Sequence, residues 1–156
     1  MIINPVQVPP LIRMELYEVP LRMMDAVIRQ DVEQYVDCFT DDGVWDPTPL
    51  TDRAEGKAEI GRRFSDACAT LDWAFQGHFS TVVTDYSDDR AQLRCYLYEV
   101  GIVKNAQSAS PIGLGCYTDD LVLVDGRWKV VLHDLSVIYF GSPDFAHPMF
   151  EPTFRR

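Results

Sequence analysis

The residues in this chain best suited to moving protons are its histidines and a few aspartates set among apolar neighbours. Asp119 and His133 belong to the stretch GCYTDDLVLVDGRWKVVLHDLSVIYF, Gly115 to Phe140. Two β-rich runs meet there at Asp125-Gly126, a pair that tolerates positive φ and marks a two-residue hairpin turn. Leu, Val and Tyr occupy both faces of these runs, so both faces must be covered. A titratable group in such a setting is either satisfied by a partner or used for chemistry. Asp119 shares strand parity with Tyr117, Leu121 and Leu123, while Asp120 points the other way. Val131, Leu135 and Val137 share the face of His133. Pairing across the hairpin would make Asp119 and His133 an acid/base couple, and a core histidine satisfied by Asp119 alone would leave the same pattern.

His78 opens a strand after Gly77. An imidazole that titrates near neutral pH suits a base that removes a proton next to a carbonyl or leaving group. A histidine hydrogen-bonded at the start of the strand is the equal alternative. Asp46, in Trp45-Asp46-Pro47, is either a carboxylate whose pKa is raised by its apolar neighbours or simply the start of a turn. Tyr96 and Tyr98 are phenolic donors that also suit packing. His147 sits in a proline-flanked tail with Phe145, Phe150 and Phe154, and is given no chemistry. Three histidines without ligand spacing predict no metal, and no phosphate-cradling or dinucleotide loop is present, so no cofactor is expected.

These residues must be positioned by elements read from periodicity and punctuation. Residues 1–12, with three prolines, read as an extended arm, and 141–156 as an aromatic tail that folds over a pocket or a partner subunit. A helix is predicted over Arg13–Arg29, kinked or restarted at Pro20, with Leu16, Met23, Met24, Val27 and Ile28 at helical spacing. Asp31 reads as an N-cap with Gln34 completing a capping box, opening a helix over Val32–Phe39. Thr40 to Gly43 ends it, and Val44–Asp46 is a short strand before a polar loop to Gly56. A third helix is expected over Lys57–Leu71. Strands follow over Gly77–Asp85 and Ala91–Val103, then a polar loop from Lys104 to Ser110, then the hairpin. Helices first and a long antiparallel sheet after them is an α+β pattern, with helices packed on one curved face.

Composition narrows the function classes. The chain has 156 residues, 47% apolar and 12% aromatic, and reads as one globular domain. A formal net charge of −10 argues against nucleic acid and anionic membrane partners. No apolar run approaches the ~20 residues of a membrane span. Four separated cysteines without a C-x-x-C pair, and an N-terminus lacking a basic head before an apolar stretch, point to reduced thiols in a cytoplasmic protein.

The order of elements, with DVEQYVDCFTDDGVWD, EGKAEIGRRF, GHFSTVV and CYTDDLVLVDGRWKVV, resembles the SnoaL-like branch of the nuclear-transport-factor-2-like superfamily. That resemblance covers most of Gln30 to Ser136, inside a domain drawn at 13–140. It implies a cone-shaped α+β barrel whose strongly bent, mostly antiparallel sheet wraps N-terminal helices around an apolar pocket. The family includes ketosteroid isomerase, scytalone dehydratase, polyketide cyclases, dehydrochlorinases and the small subunits of ring-hydroxylating dioxygenases.

Residue by residue, the resemblance is uneven. His78 matches the pocket histidine of the dehydratase and dehydrochlorinase branches. Their partner aspartate and its neighbouring tyrosine are replaced by Ile28 and Val27, which leaves Asp25, one turn earlier on the helix, to orient His78 or to pair with Arg22 or Arg29 in solvent. Asp46 falls near the isomerase base, but the isomerase's oxyanion tyrosine matches Met23. Asp119 matches its second oxyanion donor, a carboxylic acid kept protonated. His133 stands where SnoaL-like proteins commonly carry an arginine.

The resulting expectation is a cofactor-independent lyase or isomerase acting on a small, apolar, ring-containing molecule. His78 would take the proton, Asp25 or Asp46 would assist, and His133 and Asp119 would stabilise an oxyanion. Met24, Ile28, Trp45, Phe64, Tyr96, Tyr117 and Leu135 would line the pocket. The alternative is a noncatalytic accessory subunit, such as the small subunit of a ring-hydroxylating dioxygenase. A homodimer is expected through the outer sheet face, with Tyr96, Tyr98, Val100 and Trp128 at the interface.

Overall fold

The computed structural model describes residues 6–105, 110–145, 148–151 and 153–154; His147 lies outside them. Helix α1 (Pro10–Arg29) starts three residues before the predicted Arg13. Pro10 suits the first turn, where an N–H would have no helical partner. Pro20 is accommodated inside the helix and buried. Gln30 ends it in the left-handed region, φ 55°.

Asp31 then caps α2 (Val32–Asp37), its carboxylate accepting the Gln34 N–H at 2.9 Å. Only half of the expected capping box forms. The Gln34 side chain donates instead to the Arg22 carbonyl and to Asp25, binding α2 to α1. Strand β1 (Phe39–Asp46) begins five residues before the predicted Val44. The predicted turn at Thr40–Gly43 is a register shift inside this strand. Gly43 is needed there, since a Cβ would stand 3.0 Å from the Val130 carbonyl oxygen.

A two-residue strand β2 (Ala54–Glu55) and α3 (Lys57–Ala69) follow. Leu71, expected at the end of that helix, instead opens β3 (Leu71–Tyr86), ahead of β4 (Arg90–Val103). The hairpin is β5 (Ile112–Val124) and β6 (Arg127–Gly141), with Asp125 and Gly126 both at positive φ, 49° and 75°. That is the geometry which lets a two-residue turn follow the strand twist.

The six strands form one sheet in the order β2-β1-β6-β5-β4-β3, antiparallel except where β1 runs parallel to β6. The sheet curls around the helices as a cone. Leu16, Met23 and Ala26 of α1 meet Phe39, Ile60, Leu93 and Val130 in the main core. Leu97, Tyr117, Leu135 and Val137 form a second cluster with Phe140. A register shift between Asp120 and Leu121 changes the face assignment on β6. Val130 joins His133 on the buried side and Val131 does not.

Trp128, expected at an outer interface, is 7% exposed and packs in the main core near Tyr86. The tail returns along β6, with Thr153 and Phe154 N–H groups donating to the Val137 carbonyl. It sets Phe150 tilted against Phe140 and Phe154 edge-on to Tyr96. All four cysteines are free, and no described helix is long and apolar enough to cross a membrane.

Candidate functional site

Between the curled sheet and the helices lies a cavity of about 490 Å³. Trp45 comes from β1, Tyr35 from α2, Phe64 from α3, and Gln76, Glu99 and Tyr117 from the sheet. Its walls are mainly apolar, so each polar group on them has lost water and must find a partner or serve a ligand.

His133 is on this wall, 4% exposed, and Asp119, 1% exposed, lies directly across the β5–β6 ladder. The Asp119 carboxylate oxygen Oδ1 sits 2.5 Å from His133 Nδ1. Its other oxygen accepts the Cys95 thiol at 3.8 Å. With Nδ1–H donated to Asp119, Nε2 is the ring nitrogen left without a protein partner. Tyr117 stacks face to face on the imidazole at 3.6 Å, and Tyr35 and Phe39 meet it edge-on at 6.5 and 6.2 Å. The ring is therefore held by one hydrogen bond and three aromatic contacts, and its orientation is set before any ligand arrives.

Two phenols flank it. Burial first, then neighbouring Tyr117, holds the Tyr35 hydroxyl well above its ordinary pKa. Tyr117 is raised likewise, by burial and then by Glu99. Both stay protonated and are donors at neutral pH. The Trp45 indole lies close enough to Tyr117 to oppose that rise. It still misses hydrogen-bond alignment, leaving Nε1 buried and unpartnered. Beyond Tyr117, the Gln76 amide donates to Glu99 at 2.7 Å, and burial raises the Glu99 pKa more than this bond lowers it.

The other expected site residues are placed differently. His78 does not line the cavity, and both of its ring nitrogens are sealed without a partner. Burial, and then the nearby His133, push it down to about 4. Asp25 lies at the surface. It pairs with Arg29 at 3.3 Å and accepts from Gln34, because the face of α1 turned inward carries Met23 and Ala26. That rotation also leaves Ile28 exposed and Met24 part-buried off the cavity, and Val27 is the residue α1 presents to it. Asp46 accepts the Thr48 N–H at 3.2 Å and lies 3.9 Å from Arg53, so it opens the turn.

Trp45, Phe64 and Tyr117 are on the cavity wall. Tyr96 rests against Phe154, off the cavity. Leu135 borders a small annex of about 20 Å³ shared with Glu99 and Tyr117. Tyr35, Gln76 and Glu99 were missed. For Gln76 and Glu99 a signal existed: each is polar at an inward position of an alternating strand, beside Ala74 and Leu97. Tyr35 gave none, reading as an ordinary core residue of α2.

A family model described as a SnoaL-like domain matches residues 12–133. No curated protein sequence matches the chain significantly. Among solved structures, a candidate aromatic ring hydroxylase from Novosphingobium aromaticivorans DSM is 22% identical, covering 90% of this chain and 100% of its own, with a TM-score of 0.79. A candidate scytalone dehydratase from Novosphingobium aromaticivorans DSM 12444 is 17% identical over 90% and 95% of the two chains, TM-score 0.76. Hexachlorocyclohexane dehydrochlorinase LinA-type3 from Novosphingobium barchaimii LL02 is 14% identical over 91% and 96%, TM-score 0.76. At these identities the likeness is one of fold.

Proposed function

The chain belongs to the SnoaL-like family, and from its cavity we propose a cofactor-independent lyase or isomerase that moves a proton on a small, mostly apolar, ring-containing molecule. The observation that carries this reading is buried His133 on the cavity wall, held from behind by Asp119. Asp119 accepts the hydrogen bond from Nδ1–H and stabilises the imidazolium that forms when Nε2 takes a proton from a carbon next to a carbonyl. Negative charge then moves to the carbonyl oxygen. The protonated phenols of Tyr35 and Tyr117, in an apolar surround, are the donors that stabilise it. Return of the proton at another carbon completes an isomerisation, and departure of a leaving group completes an elimination. The dehydratase and dehydrochlorinase named among the similar structures support the second outcome.

His78, first read as the base, becomes a framing residue in this scheme, because neither of its nitrogens faces the cavity. The test is turnover of cyclic β-hydroxyketones and β,γ-unsaturated ketones by His133→Gln and Asp119→Asn proteins of unchanged circular dichroism. A loss of about a hundredfold or more is expected for His133→Gln. Turnover within a few-fold of the parent would remove His133 from the mechanism.

A noncatalytic accessory subunit is the second reading, favoured by Ile28 standing exposed where the dehydratase branch has its aspartate. One similar structure is described as a candidate aromatic ring hydroxylase. Copurification with a larger iron–sulfur subunit would support it, and isolation of the free chain with full turnover would defeat it. In either case the chain forms a homodimer through the outer face of β3 and β4.

A further inference from the structure

We propose that Glu99 and Gln76 form a second polar subsite, which selects ligands carrying a hydroxyl at the end remote from His133. This inference deepens the proposed reading of the same cavity and rests on it for the role of the His133 end. Gln76 and Glu99 are cross-strand partners on β3 and β4, both on the cavity wall. The Gln76 Nε2 donates to Glu99 Oε2 at 2.7 Å, and Gln76 is only 6% exposed. Oε1 of each residue has no protein partner, and neither is among the sealed side-chain atoms, so both open onto free space.

Burying a carboxyl group on an apolar wall is costly, and a pair of aliphatic side chains would serve packing better. Among the described residues no cation pairs with it. Arg63, the cation on the same wall, is engaged by Glu59 at 2.8 Å and by Asp52 at 3.5 Å. Beside Glu99 the wall is Gly113, where a Cβ would stand 3.3 Å from Phe140 and 3.6 Å from the Glu99 Cβ, so the glycine leaves room at the carboxyl. A neutral carboxyl group next to an amide oxygen presents a donor and an acceptor side by side, the complement of a hydroxyl, which both accepts and donates. Burial raises the Glu99 carboxyl above its ordinary pKa, which favours that over an amine.

The spacing defines the ligand. Glu99 pairs with Gly113, and Tyr117, whose ring stacks on His133, lies four residues further along β5. At ~3.3 Å per residue their backbone positions lie about 13 Å apart along the strand. A cavity of about 490 Å³ accommodates more than a single ring. The ligand class is a linked or fused two- to three-ring compound, oxygenated at both ends.

The probes are para-phenylphenol, with one hydroxyl, and para,para′-biphenol, with two, titrated by calorimetry against the parent, Glu99→Leu and His133→Gln proteins. The parent should bind the diol about tenfold tighter, as one further buried hydrogen bond allows. Glu99→Leu should erase the preference by weakening the diol alone, the one-hydroxyl probe serving as the control for folding. Equal affinities in the parent, survival of the preference in Glu99→Leu, or tighter binding of para-amino-para′-hydroxybiphenyl than of the diol would each overturn the subsite. Full turnover by His133→Gln with the Glu99-dependent preference intact would overturn the reaction assignment while leaving the subsite standing.

Discussion

A histidine can act as a base when one ring nitrogen is held and the other is free, and His133 and His78 divide on this point. His133 has Nδ1 fixed by Asp119 and Nε2 left over. His78 has both nitrogens sealed and is held down to about 4, mainly by burial. The consequence is a pH-dependent stability. An unfolded His78 takes a proton near pH 6.5, whereas the folded protein resists until about 4, so the unfolded state binds more protons between them. Stability from this residue is complete above pH 6.5 and is lost as pH falls toward 4, by about 3 kcal/mol at most. Urea denaturation of the parent and His78→Leu at about pH 7.5 and about pH 4.5 measures it. The parent should lose more stability than the variant between the two, and parallel losses would reject the account.

At the scale of elements, the site depends on short pieces whose ends are well specified. Helix α2 is six residues long and carries Tyr35 into the cavity, where the phenol stacks on Phe64 at 4.1 Å. A helix of that length is not stable alone and relies on its cap and its packing. Asp31→Ala removes the bond to the Gln34 N–H and should cost about 1 kcal/mol of stability in a urea melt, with Asp31→Ser recovering most of it. An unchanged midpoint in Asp31→Ala would show that packing alone holds α2. The β5–β6 register matters as much: the shift near Asp120 brings His133 inward. A slip of one residue would turn it away, because strand side chains alternate.

Over the whole molecule, charge and apolar surface are arranged differently. Ten negative charges in excess keep most of the surface repulsive to copies of itself. The outer face of β3 nevertheless exposes Phe75 at 51% and Phe79 at 72%, beside Trp73 and Ile102. Tyr98 lies against Phe79. A contiguous aromatic patch on an edge strand favours self-association. Sedimentation should therefore give twice the 17.8 kDa chain mass, and Phe79→Glu should shift it to the monomer. A parent protein sedimenting at the single-chain mass would reject the homodimer.

Local chemistry was enough to find the hairpin, its Asp-Gly turn, the Asp31 cap, the first and third helices and the α+β order, because each depends on neighbours within a few residues. It was also enough to single out Asp119 and His133, two polar groups on strands apolar on both faces. It misjudged the ends of α2 and α3, where Phe39 and Leu71 suit a helix face but are taken by strand pairing with distant partners. The rotation of α1, which sends Asp25 and Ile28 to solvent, is set by which of its faces packs best against the sheet. Tyr35 and the Gln76–Glu99 pair came to line one cavity only when the sheet curled, since they come from different elements and meet only across it. The hairpin's polarity was written in its own residues, and its use as a wall depended on everything folded around it.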